Sequence, residues 1–220
     1  MNIPLPQRTR VKICGVTNPA DAADAVELGA DALGFNTYTG SKRYIDLKKE
    51  ADWIRHLPPF VTKVAVMVKP TIAEAEAVFS LSFIDMVQFH GNEDEKFCAH
   101  FASLGLPFIK AIAVKDETSL HDVGRWGTPN ILVDAYSPSS FGGTGQLIDT
   151  GLMEHFVRSQ GGKAANLILS GGLKPANVKA AIGSLHPYAV DVASGVETAP
   201  GRKDKALMGE FILAVSGAQS

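Results

Sequence analysis

Eight short runs of apolar, largely β-branched residues recur along the chain, beginning near Val11, Asp31, Lys63, Asp85, Phe108, Asn130, Asn166 and Ala189. Most are spaced by roughly twenty residues, the length of a strand, a loop and a helix. Two gaps are longer. One follows the second run and holds residues 36–44; the other follows the sixth and holds 136–145.

Helical spacing fills the intervals. Asn18-Pro19 reads as a cap with proline at the first helical position, and Ala22, Ala23, Val26 and Gly29 then mark a small-residue packing face. Thr71-x-x-Glu74 predicts a capping box before Ala75, Val78 and Phe79. Phe97, Phe101 and Leu104 repeat at helical spacing after the acidic turn Asn92-Glu93-Asp94-Glu95. Pro175 opens a helix carrying Val178, Ala181 and Ile182, and Leu207, Phe211 and Ile212 stripe the last one. The simplest architecture is α/β: eight strand–helix units closed into one (β/α)8 TIM barrel domain over residues 1–220. An open doubly wound sheet is the competitor. Eight evenly distributed units in so short a chain favour closure. The eightfold period carries no obvious sequence repetition, and no linker or low-complexity stretch interrupts it.

Composition narrows the class. The 220 residues are 45% hydrophobic, enough for one large core. A net charge of -2 makes no electrostatic case for nucleic acid or an anionic membrane. No stretch approaches the roughly 18 apolar residues of a membrane span, and residues 1–10 lack the apolar centre of a secretory signal. Cys14 ends a predicted strand and Cys98 falls in a predicted helix, so both read as free thiols in a reducing cytoplasm.

In a parallel barrel the strand C-termini and the loops after them form the active face. Cys14 closes Val11-Lys12-Ile13-Cys14, and Asp134 closes Ile131-Leu132-Val133-Asp134. Cys14 is either a small buried hydrophobe or a base or nucleophile acting as thiolate. Asp134 is either a cap or turn residue or, screened from water, a general acid. Asp191, inside the eighth run, is a barrel-lining structural acid or a substrate contact, because an acid in an apolar strand costs free energy unless paired or used. Arg43, in the first long gap, is a solvated charge or a bidentate carboxylate partner. His90 after the fourth run is structural or catalytic. Ser170-Gly171-Gly172 and Ser194-Gly195 follow the seventh and eighth runs, where barrels commonly bind phosphate on backbone amides. Gly142-Gly143-Thr144-Gly145 reads as a lid or an uninvolved loop. Walker and dinucleotide fingerprints are absent, so no nucleotide or NAD is expected, and the histidines form no zinc-ligand spacing.

These motifs together resemble the phosphoribosylanthranilate isomerase family. The resemblance rests on Lys12-Ile13-Cys14-Gly15-Val16-Thr17, Gly29-Ala30-Asp31 with Gly34-Phe35, Ser41-Lys42-Arg43-Tyr44 and Val87-Gln88-Phe89-His90-Gly91. It continues through Asp134 with Gly142-Gly143-Thr144-Gly145, Ser170-Gly171-Gly172-Leu173, Asp191-Val192-Ala193-Ser194-Gly195-Val196-Glu197, Pro200-Gly201 and Lys203-Asp204. It runs in consistent order from the first strand to the last helix.

The resemblance implies an Amadori rearrangement in tryptophan biosynthesis, from N-(5-phosphoribosyl)anthranilate to the aminoketose. It implies Asp134 as the acid that opens the ribose ring and Cys14 as the base at ribose C2. Arg43 would lie beside the anthranilate, Asp191 would line the site, and Gly171, Gly172, Ser194 and Gly195 would hold the phosphate. It implies no metal or organic cofactor; the expected partner is a small phosphorylated substrate, and the chain could be monomer or homodimer. Lys42, Asn36-Thr37, Lys69 and Gln146 depart from the family pattern, and none of them is the implied acid or base. Two other readings stand beside this one. A ribulose-phosphate epimerase-like barrel would need paired acids or metal-binding histidines, neither of which is found. A non-catalytic phosphometabolite-binding barrel would be favoured by loss of the acid or base, and both are present.

Overall fold

Successive residues of a strand point to opposite faces, so a run apolar on both faces must be covered on both. A computed structural model describes residues 8–120, 123–135 and 166–218. Its strands are β1 (Arg10–Cys14), β2 (Ala32–Asn36), β3 (Thr62–Met67), β4 (Met86–Phe89), β5 (Phe108–Val114), β6 (Asn130–Ala135), β7 (Asn166–Leu169) and β8 (Ala189–Val192). Each begins within one residue of its apolar run. All neighbours pair in parallel, and β1 pairs with both β2 and β8, so the sheet closes into the expected barrel and the open-sheet alternative falls.

The inward face is apolar at its floor. Val64, Ile109, Ala111, Leu132, Ile168 and Ala189 form one buried cluster there, with Ala32 and Met86 against it. Two residues further along β4, β6, β7 and β8 the inward position is polar, giving Gln88, Asp134, Ser170 and Asp191, all buried. Lys12 and Cys14 continue that layer, because Lys12 stands opposite Ala32 and Asp191 in register, and Cys14 opposite Gly34. The outward face packs on helices through residues such as Ile13, Leu33, Ile131 and Val190.

The helices are α1 (Pro19–Glu27), α2 (Ala51–Arg55), α3 (Ile72–Phe79), α4 (Glu95–Ser103), α5 (Pro175–Leu185) and α6 (Lys205–Ser216). Their starts follow the capping chemistry. Asn18, Asp94 and Asp204 each accept a backbone N–H three residues on, and Thr71 with Glu74 completes the capping box. Among the described residues no helix is long and apolar enough to cross a membrane.

Three details differ from the spacing. On α1 the buried pair is Ala22 and Ala25; Ala23 faces solvent, and Gly29 lies past the helix end. On α4 the buried stripe is Cys98 and Phe101, and Leu104 is the C-cap residue, 53% exposed. Phe101 instead anchors an aromatic cluster, 5.3 Å from Phe79, 5.2 Å from Phe89 and 5.1 Å from Phe97 between ring centroids. After β5, the described chain has short 3-10 turns, Glu117–Leu120 and Val123–Trp126, in place of an α-helix. There Asp116 Oδ1 accepts from Thr118 Oγ1 and from the Ser119 amide, local bonds that compete with a helical ladder. The loop after Asp134, with Gly142, Gly143, Thr144, Gly145 and Gln146, lies outside the described residues.

The aromatic cluster and the helix end should separate cleanly in stability. Phe101→Ala is expected to cost about 3–5 kcal/mol. Leu104→Ala should stay within about 0.5 kcal/mol. Urea unfolding midpoints measure both, and a Leu104 effect as large as that of Phe101 would contradict this packing.

Candidate active site

At the C-terminal ends of the strands the barrel opens into a cavity of about 550 Å³ whose walls include Cys14, Asp134, Asp191, Arg43 and His90. The Cys14 thiol at the end of β1 and the Asp134 carboxyl, one residue before the end of β6, therefore line one cavity.

Cys14 is half-buried. Burial pushes its thiol above the ordinary value and Asp191 adds to the rise; Lys12 and Lys203 oppose it without cancelling it. Lys12 lies two residues earlier on the same inward face. Its Nζ donates to Asp191 Oδ1 at 2.7 Å, and both side chains are buried. Burial alone would lower an ammonium, but the charges of Asp191 and Cys14 outweigh it and hold Lys12 at about 12. Asp191 Oδ2 also accepts from Ser170 Oγ at 3.2 Å. Asp191 thus combines both of its sequence readings: it is a paired acid inside the barrel and part of the cavity wall.

Across the mouth, Asp134 is 5% exposed, and its Oδ2 lies 3.4 Å from His90 Nε2. The Gln88 amide nitrogen contacts His90 Nδ1 at 2.7 Å. The loop under His90 is held by Glu93, which accepts from Lys110 Nζ at 2.7 Å, from the Gly91 amide and from the Lys69 amide. Lys69 adopts a left-handed φ of 51°, a conformation asparagine takes more readily than lysine.

Arg43 is not a solvated charge. Its Nε and Nη2 donate to Glu197 Oε1 and Oε2 at 2.8 and 2.7 Å. The side chain crosses Gly15, where an added Cβ would come within 2.4 Å of Arg43 Cδ. Glu197 begins a hairpin of β9 (Glu197–Ala199) and β10 (Arg202–Lys203). From it, Lys203 Nζ donates to Glu197 Oε1 at 2.8 Å, to the Ala193 carbonyl at 3.2 Å, and to the Cys14 carbonyl. The hydrogen bonds that Arg43 donates to Glu197 raise its guanidinium. Burial would raise Glu197, yet Arg43 and Lys203 together lower it. Burial prevails at Lys203 and lowers its ammonium.

Of the expected phosphate residues, Gly171, Gly172 and Ser194 wall the cavity. Gly171 and Gly172 have φ of 85° and 63°, open to glycine at little cost. Ser194 begins a single 3-10 turn, Ser194–Val196. Gly195 differs from the other three: it is absent from the cavity wall, and a Cβ on it would meet the Leu173 carbonyl oxygen at 1.9 Å. Close packing of the two loops is what requires glycine there. Lys12, Glu197 and Lys203 are the residues that strand-end reasoning passes over. The available signal was a lysine inside an apolar strand, in phase with Cys14.

A family model described as N-(5'phosphoribosyl)anthranilate (PRA) isomerase matches residues 11–214. The chain is 44% identical over 211 residues to N-(5'-phosphoribosyl)anthranilate isomerase of Geotalea uraniireducens (strain Rf4), covering 95% of this chain and 99% of the relative. The crystal structure of phosphoribosyl anthranilate isomerase from Thermotoga maritima matches with a TM-score of 0.85 at 38% identity, over 95% of this chain and 99% of that one. A phosphoribosyl anthranilate isomerase in complex with reduced 1-(o-carboxyphenylamino)-1-deoxyribulose 5-phosphate matches with a TM-score of 0.82 at 37% identity, over 95% and 99%. The matched span runs from the first strand into the last helix and takes in every described group of the cavity. The chain belongs to the phosphoribosylanthranilate isomerase family.

Proposed function

We propose that this chain catalyses the Amadori rearrangement of N-(5-phosphoribosyl)anthranilate to 1-(2-carboxyphenylamino)-1-deoxyribulose 5-phosphate, in tryptophan biosynthesis, by general acid–base catalysis. The observation that carries this reading is the shared cavity of Cys14 and Asp134. Strands β1 and β6 are three steps apart around the closed sheet, so the two groups approach from different sides of the mouth.

Asp134, in its acid form, gives a proton to the ribose ring oxygen. The C1–O bond breaks and the anthranilate nitrogen lone pair forms the Schiff base. His90 holds the Asp134 carboxyl during this step. The Cys14 thiolate then removes the proton from ribose C2. The released electron pair forms the C1–C2 double bond and neutralises the nitrogen. The resulting enolamine tautomerises to the ketone. Amides at Gly171, Gly172, Ser194 and Gly195 hold the phosphate, and the absence of a Cβ on Gly195 also lets the two loops pack closely. Glu197 occupies the Nε–Nη2 edge of Arg43, so the anthranilate carboxylate meets the Nη1 side.

Cys14→Ser and Asp134→Asn should each lower kcat by about 10²–10⁴ while leaving affinity for a reduced product analogue nearly unchanged. Generating the substrate in situ and following loss of anthranilate fluorescence gives the rates. Wild-type turnover by Cys14→Ala would remove the base assignment.

The pH dependence follows from the thiol. A raised thiol keeps its proton to higher pH, and catalysis needs the deprotonated form. The base limb of kcat/KM should therefore keep rising through pH of about 8.5, the ordinary thiol midpoint. A limb that levels off well below that value would contradict the raised thiol.

Glu197→Gln removes a buried carboxylate and strands two cations, so stability should fall by about 3 kcal/mol. KM should rise more than kcat falls, because Arg43 is displaced and the reacting pair is not. Steady-state kinetics on the folded variant separates the two.

A further inference from the structure

The proposed chemistry needs a thiolate where burial disfavours one. Charged and titratable groups face Cys14 from several elements: Lys12 on β1, Asp191 on β8, Lys203 and Glu197 on the hairpin, and Arg43 from the loop after β2. His90 and Asp134 stand on the cavity wall beyond. Lys12 differs from the other cations in sharing the inward face with the thiol, one pleat below it. Gly34, opposite Cys14 in register, reports how close they are. A Cβ at Gly34 would lie 2.7 Å from Cys14 Sγ and 3.1 Å from Lys12 Nζ. The thiol and the ammonium crowd one point that no side chain fills.

Stability gives a poor reason for Lys12 to be there. A buried ion pair adds little over apolar side chains of similar volume, and an apolar cluster lies just below this layer. We propose that Lys12 is a positioning residue for the base: its ammonium, anchored by Asp191, stabilises the Cys14 thiolate in the space that Gly34 leaves open. Lys12 keeps its proton throughout. The thiol proton goes to water, and the ammonium then lies between two anions, Asp191 and the thiolate. This inference rests on the reading of Cys14 as the base.

The test is the pH dependence of Cys14 alkylation by iodoacetamide, with the modified peptide identified by mass spectrometry. Cys98 is fully buried, and the peptide assignment separates it in any case. Lys12→Met should raise the alkylation midpoint by about one pH unit, a tenfold loss of thiolate at a given pH, and lower kcat more than it changes KM. Lys12→Arg keeps the charge and should restore most of the midpoint. Asp191→Asn should shift the midpoint the opposite way, downward. An unmoved midpoint in folded Lys12→Met overturns the proposal. If Lys12→Met does not fold, Lys12→Gln, which can still donate to Asp191 without the charge, decides: a raised midpoint supports the proposal, and an unmoved or lowered one overturns it. Alkylation reads the thiol whether or not the enzyme turns over, so failure here is distinct from failure of the base reading, which Cys14→Ser decides by turnover.

Discussion

The ion pair between Lys12 and Asp191 is the constraint on which the upper barrel depends. It forms only when β1 closes against β8 in the observed register, which sets these two residues opposite each other. Both charges are buried, so each needs the other. A slip of one residue would turn Lys12 out towards the helices and leave Asp191 unpaired inside the barrel. The pair therefore makes one closure far better than its neighbours. The same closure places Cys14 one pleat above Lys12, and lets Ser170 on β7 donate to the other oxygen of Asp191. Fold selection and site construction use the same contact.

Above that layer a second ionic group ties the loops together. Glu197 takes Arg43 from the loop after β2 and Lys203 from its own hairpin, and Lys203 reaches the carbonyl of Cys14. Glu197 follows directly on the Ser194–Val196 turn that walls the proposed phosphate end. A few residues of backbone thus link the residues proposed for the phosphate with the arginine proposed for the aromatic carboxylate. On that proposal, one connection gauges the two ends of an elongated substrate. Moving either end would disturb the other, and this explains why a carboxylate that touches neither reacting carbon is so fully committed to partners.

Much of the fold was legible because barrel strands are covered on both sides. Their sequences read as short, mainly apolar runs, and the starts at Val11, Phe108 or Ala189 could be located from the pattern of those runs. Caps were legible for a local reason, since Asn18 and Thr71 act within three residues of themselves. The interval after β5 was not, because Asp116 and Ser119 favour short turns over a helix. Leu104 was misplaced because helical spacing gives phase and says nothing of where a helix ends. In the site, Cys14 and Asp134 could be found from their position at strand ends, and the resemblance separated their roles. The ion pairs were a different matter. Lys12 finds its partner 179 residues away and Arg43 finds Glu197 154 residues away. Such pairs exist only once the sheet has closed, so no local pattern announces them. Gly195 carries a further constraint that no local pattern announces: an added Cβ would meet the Leu173 carbonyl oxygen.

The central claim is that Cys14 and Asp134 act on one sugar held between them, with proton removal at C2. The most direct measurement is single-turnover conversion of phosphoribosylanthranilate carrying deuterium at ribose C2, beside the unlabelled substrate, followed by loss of anthranilate fluorescence with excess protein. The account predicts rapid conversion of both and slower conversion of the deuterated one. Fluorescence that decays no faster with the protein than without it would contradict the account and leave a barrel that binds a phosphorylated metabolite without transforming it.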